Sequence, residues 1–286
     1  MKVPSFLETN SAKLDKNGIW NARFDLSEDE RISKEAWDSI YDYQLQELLA
    51  DKKDFNENKL ADHMRYIEKS FRFTKNTVYL EIGSGPAFIG EYLMRKYHCH
   101  FIGVDFNYQI LLILKKYFDQ QKLTNYTLIH GDINKMPIKA DSVDYIYGGG
   151  VIEHFADTRH ILVESYKILK KGGVSFNTVP AFNLWWLTRF YNNIPSLPIL
   201  KQLFSFIHIK LLGGNILQKY YGYELSFIPP QLRKLHQDIG FQDVQVGAFA
   251  FNPSDKVLKH PLLRRLYFMI SSSSISCPVY YVSGKK

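Results

Sequence analysis

Residues 78–90 read VYLEIGSGPAFIG, and they hold the first residues in the chain whose types and spacing could do chemistry. A short β-type run carries one acid, Glu81, and ends on Gly83 and Gly85 with Ser84 between them. That pattern describes a buried strand ending in a tight turn against a ligand and passing into a helix. Glycine tolerates positive φ and lets the backbone come close to what it binds. A second acid, Asp105, ends the run HFIGVD and lies 22 residues after Gly83. In a βαβ unit this spacing sets a carboxylate at the tip of the neighbouring strand, within reach of both ribose hydroxyls. Residues 87–96 between them have helical spacing. An ordinary turn aspartate is the plainer alternative, and the glycine turn outweighs it.

Two cofactor classes fit this far. A dinucleotide loop places its third glycine at position 88 for close helix–strand packing. That position holds Phe88, and Glu81 ahead of the turn is foreign to the dinucleotide fingerprint, so NAD and FAD are disfavoured. Further on, residues 127–132 (TLIHGD) form a third strand ending at Asp132. Residues 143–147 form a fourth, which runs into Gly148, Gly149, Gly150 and VIEHF.

With these elements in view, the chain resembles the class I S-adenosylmethionine-dependent methyltransferases, in particular the ubiquinone/menaquinone-methyltransferase-like branch. LEIGSGPA, GVDF, HGDINKMPIKADSVDYIY, GGGVIEHF and LKKGG carry the resemblance in order and spacing, closely over residues 78–179. It implies an α/β, Rossmann-like, doubly wound sheet of seven strands, mostly parallel with an antiparallel last strand. It also implies S-adenosylmethionine as cofactor. Glu81, Gly83, Ser84 and Gly85 would wrap its methionine and ribose portions, and Asp105 would hold the ribose with Phe106 against adenine. Asp132 and Ile133 would meet the adenine edge, and Gly148 and Gly149 the methionine end. One departure is Ala87, where the family commonly has a third glycine. The run of three glycines at 148–150 is unusual, and it suggests a backbone free to approach a ligand.

The elements that position these residues follow from the pattern of the chain. Residues 1–75 read as an N-terminal helical cap segment, with helices over 28–52, entered at Ser27, and over 57–71. Trp20, Phe24, Trp37 and Tyr41 are its candidate lid residues, each with packing onto the domain as the plainer reading. Residues 76–286 read as the methyltransferase domain. An aromatic-rich insert at 181–227 follows the fifth strand (174–179), where this fold places the acceptor. Three readings of the insert rank in the order substrate cap, plain packing, membrane-surface contact. Its run 197–212 is too short and too charged to span a bilayer. A helix over 231–238 and strands over 241–251 and 278–283 complete the sheet.

The resemblance puts His154 at the cleft floor as a base or a positioning residue, since a hydroxyl acceptor must lose a proton and histidine titrates near neutrality. His208 and Tyr223 in the insert are the remaining acceptor-side candidates. Glu153 reads as a backbone or cap ligand. No metal-ligand spacing is present, so no metal is expected. The two cysteines, Cys99 and Cys277, suggest free thiols in a reducing compartment. MKVPSFLETN lacks the apolar core of a signal peptide, and the expected location is cytoplasmic, with peripheral membrane contact open.

The net charge of +7 is spread along the chain. Lys256, Lys259, Arg264 and Arg265 read as a solvated basic surface. Lys167, Lys170 and Lys171 read as a helix C-terminal pattern ending at Gly172. The expected reaction is in-line methyl transfer to a small, apolar or aromatic acceptor at oxygen or carbon, aided by alignment in a dry site. A non-catalytic binding or scaffold protein on the same fold is the alternative. A nucleic-acid methyltransferase ranks lower, because GGGV stands where an (N/D)PPY-like tetrapeptide would be.

Overall fold

A computed structural model describes residues 4–8, 10–22, 53–188, 193–207, 224–251 and 259–286. Its centre is β3 (Val78–Ile82), followed by α2 (Phe88–Tyr97), β4 (His100–Asp105), α3 (Tyr108–Gln120) and β5 (Tyr126–His130). The chain then crosses back to β6 (Val143–Gly149), α4 (Thr158–Ile168) and β7 (Leu169–Pro180). The first three strands are built outward on one side of β3 and the next on the other, so the strand order reverses between β3 and β6. Ligands of open α/β sheets bind at such a switch point, beyond the carboxyl ends of the strands.

After β7 come β8 (Ile194–Pro195), α5 (Pro198–Phe206), β9 (Leu225–Ser226) and α6 (Pro229–Ile239). The chain ends with β10 (Gln242–Ala248), α7 (Pro261–Ser271) and β11 (Val279–Lys285). The last strand lies antiparallel between β7 and β10. The seven strands expected from the sequence are therefore present in the order β5-β4-β3-β6-β7-β11-β10, with only the last one antiparallel.

The sheet has two strands more. An N-terminal hairpin, β1 (Ala12–Leu14) with β2 (Trp20–Ala22), pairs parallel to β5 through Trp20 and Ile129 and widens the sheet to nine. Part of the segment expected to be a helical cap is thus sheet edge. The strands are only three residues long, too short for alternation to announce them. Trp20 is buried and belongs to the core, not to a lid. The expected helix over 28–52, the cap Ser27 and the lid candidates Phe24, Trp37 and Tyr41 fall outside the described residues. The second expected helix is α1 (Lys53–Ser70).

Successive strand residues point to opposite faces, and here the two faces differ in kind. Leu80, Ile82, Ile102, Val104, Ile129 and Ile146 form an aliphatic face that packs on α4 and α6 through Ile161, Leu162 and Leu232. Tyr79, Phe101, Tyr145, Tyr147 and Phe176 form an aromatic face covered by α1, α2 and α3, with Ile67, Leu93 and Leu114 among their contacts. Glu81 has the parity of Tyr79 and so enters the aromatic layer. The basic group after α4 also differs from expectation. The helix stops at Ile168, and Lys170 and Lys171 already belong to β7, with Lys170 paired to Asp144 at 2.8 Å.

Candidate cofactor and active site

The turn after β3 is shaped by backbone that only small residues tolerate. Gly83 and Gly85 have φ of +57° and +46°. A Cβ on Gly83 would lie 2.9 Å from the Val151 side chain, so the turn is pinned to the segment after β6. Ala87 also adopts the left-handed region, φ 50° and ψ 42°. A glycine, which the resemblance implies for this position, would adopt it without strain, and a single alanine there costs about 1–2 kcal/mol. The close helix–strand packing that Phe88 cannot supply falls to Gly90, where a Cβ would meet the Phe101 ring at 2.5 Å.

Gly90 has a second role. Its N–H points at Glu81 Oε2 across 3.3 Å. Glu81 is buried, and burial raises its carboxyl to about 8, with the Gly90 N–H pulling the other way. An acid of this kind holds its proton near neutrality and can give it up when a cation arrives.

Asp105 closes the turn from the neighbouring strand. Its Oδ2 accepts from Gly85 N–H and its Oδ1 from Asn107 N–H, both at 2.9 Å. A carboxylate has about four acceptor sites, and these two bonds take one on each oxygen. The side chain is fully covered, and a ribose must expose it to be bound. Asn107 also caps α3, accepting from Gln109 and Ile110 N–H. At the next tip, Asp132 Oδ1 accepts from the backbone and side chain of Asn134 at 2.8 Å each, while Ile133 is buried. Asp132 therefore shapes its own short helical turn.

His130 ties this region together. Its ring nitrogens bond Asn21 Oδ1 at 2.9 Å and the Phe106 carbonyl at 3.1 Å. Asp15 of the same hairpin accepts from the Tyr108 hydroxyl at 2.5 Å. The hairpin thus holds the loop that follows Asp105. No sequence signal carries a contact between residues 109 positions apart.

Gly148 and Gly149, which end β6, do not leave the open space expected of the glycine run. A Cβ on Gly148 would strike Asn177 Oδ1, and one on Gly149 would strike the Tyr147 hydroxyl. Gly148 and Gly149 make room for these neighbours, and Gly150 turns the chain at φ +72°. Tyr147 is anchored in turn by a 2.8 Å hydrogen bond to His63.

His154 ends a short helical turn (Ile152–His154) at the same end of the sheet and is partly exposed. Glu153 beside it is buried, and its Oε2 has no hydrogen-bond partner. Burial first, and then Glu224, hold its carboxyl well above the usual range. A buried orphan of this kind costs about 1–3 kcal/mol, so the site carries a residue that motif reading passed over as a cap. Only its neighbourhood, including a second acid 71 positions along the chain, distinguishes it.

The insert closes at its base. Ala181 pairs with Phe227, and Phe182 N–H donates to the Phe227 carbonyl at 2.7 Å. Lys201 of α5 donates to the Ala156 carbonyl at 2.8 Å, which docks the insert beside the His154 turn. His208 and Tyr223 lie outside the described residues. The remaining candidates, Glu81, Gly83, Ser84, Gly85, Asp105, Phe106, Asp132, Ile133, Gly148, Gly149 and His154, gather at the carboxyl ends of four adjacent strands.

Four such tips across the switch point of a sheet in this order make a Rossmann-like, doubly wound fold whose ligand-binding end is here. Residues 80–176 match the family model for the methyltransferase domain. The chain is 27% identical over 164 residues to a demethylmenaquinone methyltransferase of Halalkalibacterium halodurans, covering 53% of this chain and 61% of that one. It is 31% identical over 78 residues to a 2-methyl-6-phytyl-1,4-hydroquinone methyltransferase of Oryza sativa subsp. japonica, covering 27% of this chain and 22% of that one. The match thus spans less than two thirds of either relative's length. A solved structure of an S-adenosylmethionine-dependent methyltransferase from Thermotoga maritima, described as a possible histamine N-methyltransferase, superposes with a TM-score of 0.55 at 15% identity. It covers 89% of this chain and 99% of that one. The matched stretch, residues 80–176, contains all four strand tips.

The residues present fit S-adenosylmethionine. Ser84 Oγ and Asn177 Oδ1 are buried beside the first and fourth tips without a hydrogen-bond partner. Such atoms mark places where a polar ligand or water belongs. Gly83 and Gly85 supply the close backbone, and a buried carboxylate such as Asp105 suits a diol.

Proposed function

We propose that the chain transfers a methyl group from S-adenosylmethionine to a small, apolar or aromatic acceptor, at oxygen or carbon. The observation that carries this is the placement of the aromatic insert. It leaves β7 at its carboxyl end, closes on itself at Ala181 and Phe227, and docks through Lys201 beside Glu153 and His154. An acceptor held between this insert and the strand tips would be bulky and of low polarity. The quinone-type methyltransferase relatives support the same class.

When bound, S-adenosylmethionine supplies an electrophilic methyl group for in-line displacement. The chain's part is alignment, exclusion of water and proton handling. In this reading Glu81, Gly83, Ser84, Gly85, Asp105, Phe106, Asp132, Ile133, Gly148 and Gly149 hold the cofactor. His154 accepts or orients the acceptor proton, and His208 and Tyr223 of the insert are the further acceptor-side candidates. Residues 76–286 act as the catalytic domain, with 181–227 as its cap. Two free, buried thiols support a cytoplasmic setting.

The test is calorimetric titration of the cofactor-stripped chain with S-adenosylmethionine. A labelled-methyl assay against hydroquinones, catechols and polyketide-type phenols follows it. Binding with transfer to at least one of these supports the reading. Absence of cofactor binding overturns it, and binding without transfer to any apolar acceptor overturns the acceptor class.

A further inference from the structure

Helix α7 is turned the wrong way round for a helix of a globular domain. Arg264, Tyr267, Phe268 and Ser271 form its inward face, at the i, i+3, i+4, i+7 spacing of one helical stripe. Its large aliphatic residues face out: Leu262 is 69% exposed and Met269 61%, with Leu263, Leu266 and Ile270 exposed beside them. Burying such side chains contributes about 1.5–3 kcal/mol each, so leaving five of them in water is a standing cost with no return inside the described fold.

The inward face is fixed. Arg65 of α1 lies over the Phe268 ring at 5.4 Å, and Tyr267 meets Trp185 edge-on at 6.2 Å. Leu184 and Leu187 extend the apolar surface from the short helical turn after β7 (Leu184–Thr188), and Leu184 N–H donates to the Ile275 carbonyl at 3.1 Å. The surface therefore lies at the carboxyl end of β7, on the site's side of the sheet. Contiguous apolar patches rimmed by charge mark contact with a protein or a membrane.

Charge decides between the two. The sequence around α7, residues 259–271, has Lys259, Arg264 and Arg265 and no aspartate or glutamate. Lys259 and Arg265 are exposed at and within the start of α7. We propose that the outward face of α7, with Leu184 and Leu187, docks on an anionic lipid bilayer, the leucines entering the headgroup boundary and the basic residues meeting lipid phosphates. No helix among the described residues is long and apolar enough to cross a membrane, so the contact is peripheral. It stands apart from the acceptor's identity, though a surface beside the strand tips would bring lipid-soluble acceptors to the cleft.

The experiment is co-sedimentation of the full chain with vesicles of phosphatidylglycerol and phosphatidylcholine, and with phosphatidylcholine alone. Binding to the anionic vesicles that weakens in 0.5 M salt is expected, with at least about tenfold stronger partition than to neutral ones. Leu266→Glu with Met269→Glu, and separately Arg265→Glu, should each lower partition by about tenfold or more while the melting temperature stays that of the parent. Equal partition to both vesicle types, or unaltered partition of both variants, overturns the proposal. So does a change in vesicle-free sedimentation velocity of the leucine variant, which would assign the face to a second copy. A fall in its melting temperature without vesicle binding would assign the face to another segment of this chain and overturn it as well.

Discussion

The Gly85 N–H donates to Asp105 Oδ2 at 2.9 Å, joining the first two strand tips before any cofactor is bound. The acid that the resemblance assigns to ribose is thus also a structural clamp on the glycine turn. Asp105→Asn keeps the shape but leaves one of its two backbone donors facing an amide NH2. Charge-assisted hydrogen bonds contribute about 1.5–3 kcal/mol. The variant should lose about tenfold or more in S-adenosylmethionine affinity by calorimetry, and melt a few degrees lower.

Glu81 sets a pH dependence. Its unfolded value near 4.5 rises to about 8 in the fold, chiefly through burial. Between those values the folded state keeps a proton that the unfolded state releases. Stability therefore falls as pH rises from about 4.5 to 8, by up to about 1.4 kcal/mol per pH unit. Glu81→Gln should flatten this slope in melting curves at pH 5, 6.5 and 8. An unchanged slope would remove Glu81 as its cause.

Glu153 has the same sign for the same reason, burial first and Glu224 second. Glu153→Gln replaces an unpaired acid with a neutral amide. It should leave the melting temperature at pH 8 equal or higher, while slowing methyl transfer if the carboxyl meets the acceptor. A large loss of stability instead would make Glu153 a structural support.

His154→Ala separates proton handling from positioning. With His154 as a base, turnover should fall by about a hundredfold or more with cofactor affinity nearly unchanged. Equal loss of both would make it a positioning residue.

Ala87 bears on how far the glycine turn can vary. Ala87→Gly relieves about 1–2 kcal/mol of left-handed strain. It removes a buried methyl group, at about 0.8 kcal/mol, and frees the unfolded chain, at about 0.4–1 kcal/mol. The terms nearly cancel, so denaturant midpoints should barely move. Ala87→Val, β-branched at positive φ, should destabilise clearly. Equal effects of the two would show that strain is not what restricts the position.

The sequence by itself determined the strands around the cofactor and the residues at their tips. Strand periodicity, a glycine turn and acids at fixed offsets are local properties, written in neighbouring residues. β3 and β4 begin and end where their apolar runs do, and the C-terminal strands follow from the same alternation.

Only the tertiary structure decided what depends on distant segments meeting. Strands as short as β1 and β2 exist because β5 offers an edge. The glycines at 148 and 149 are required by Asn177 and Tyr147, which lie against them in space. Glu153 is unusual because a fold buries it near Glu224, and α7 because its packing face is the one that holds Arg264 and Ser271. Burial and pairing are properties of the assembled chain, and no window of sequence contains them.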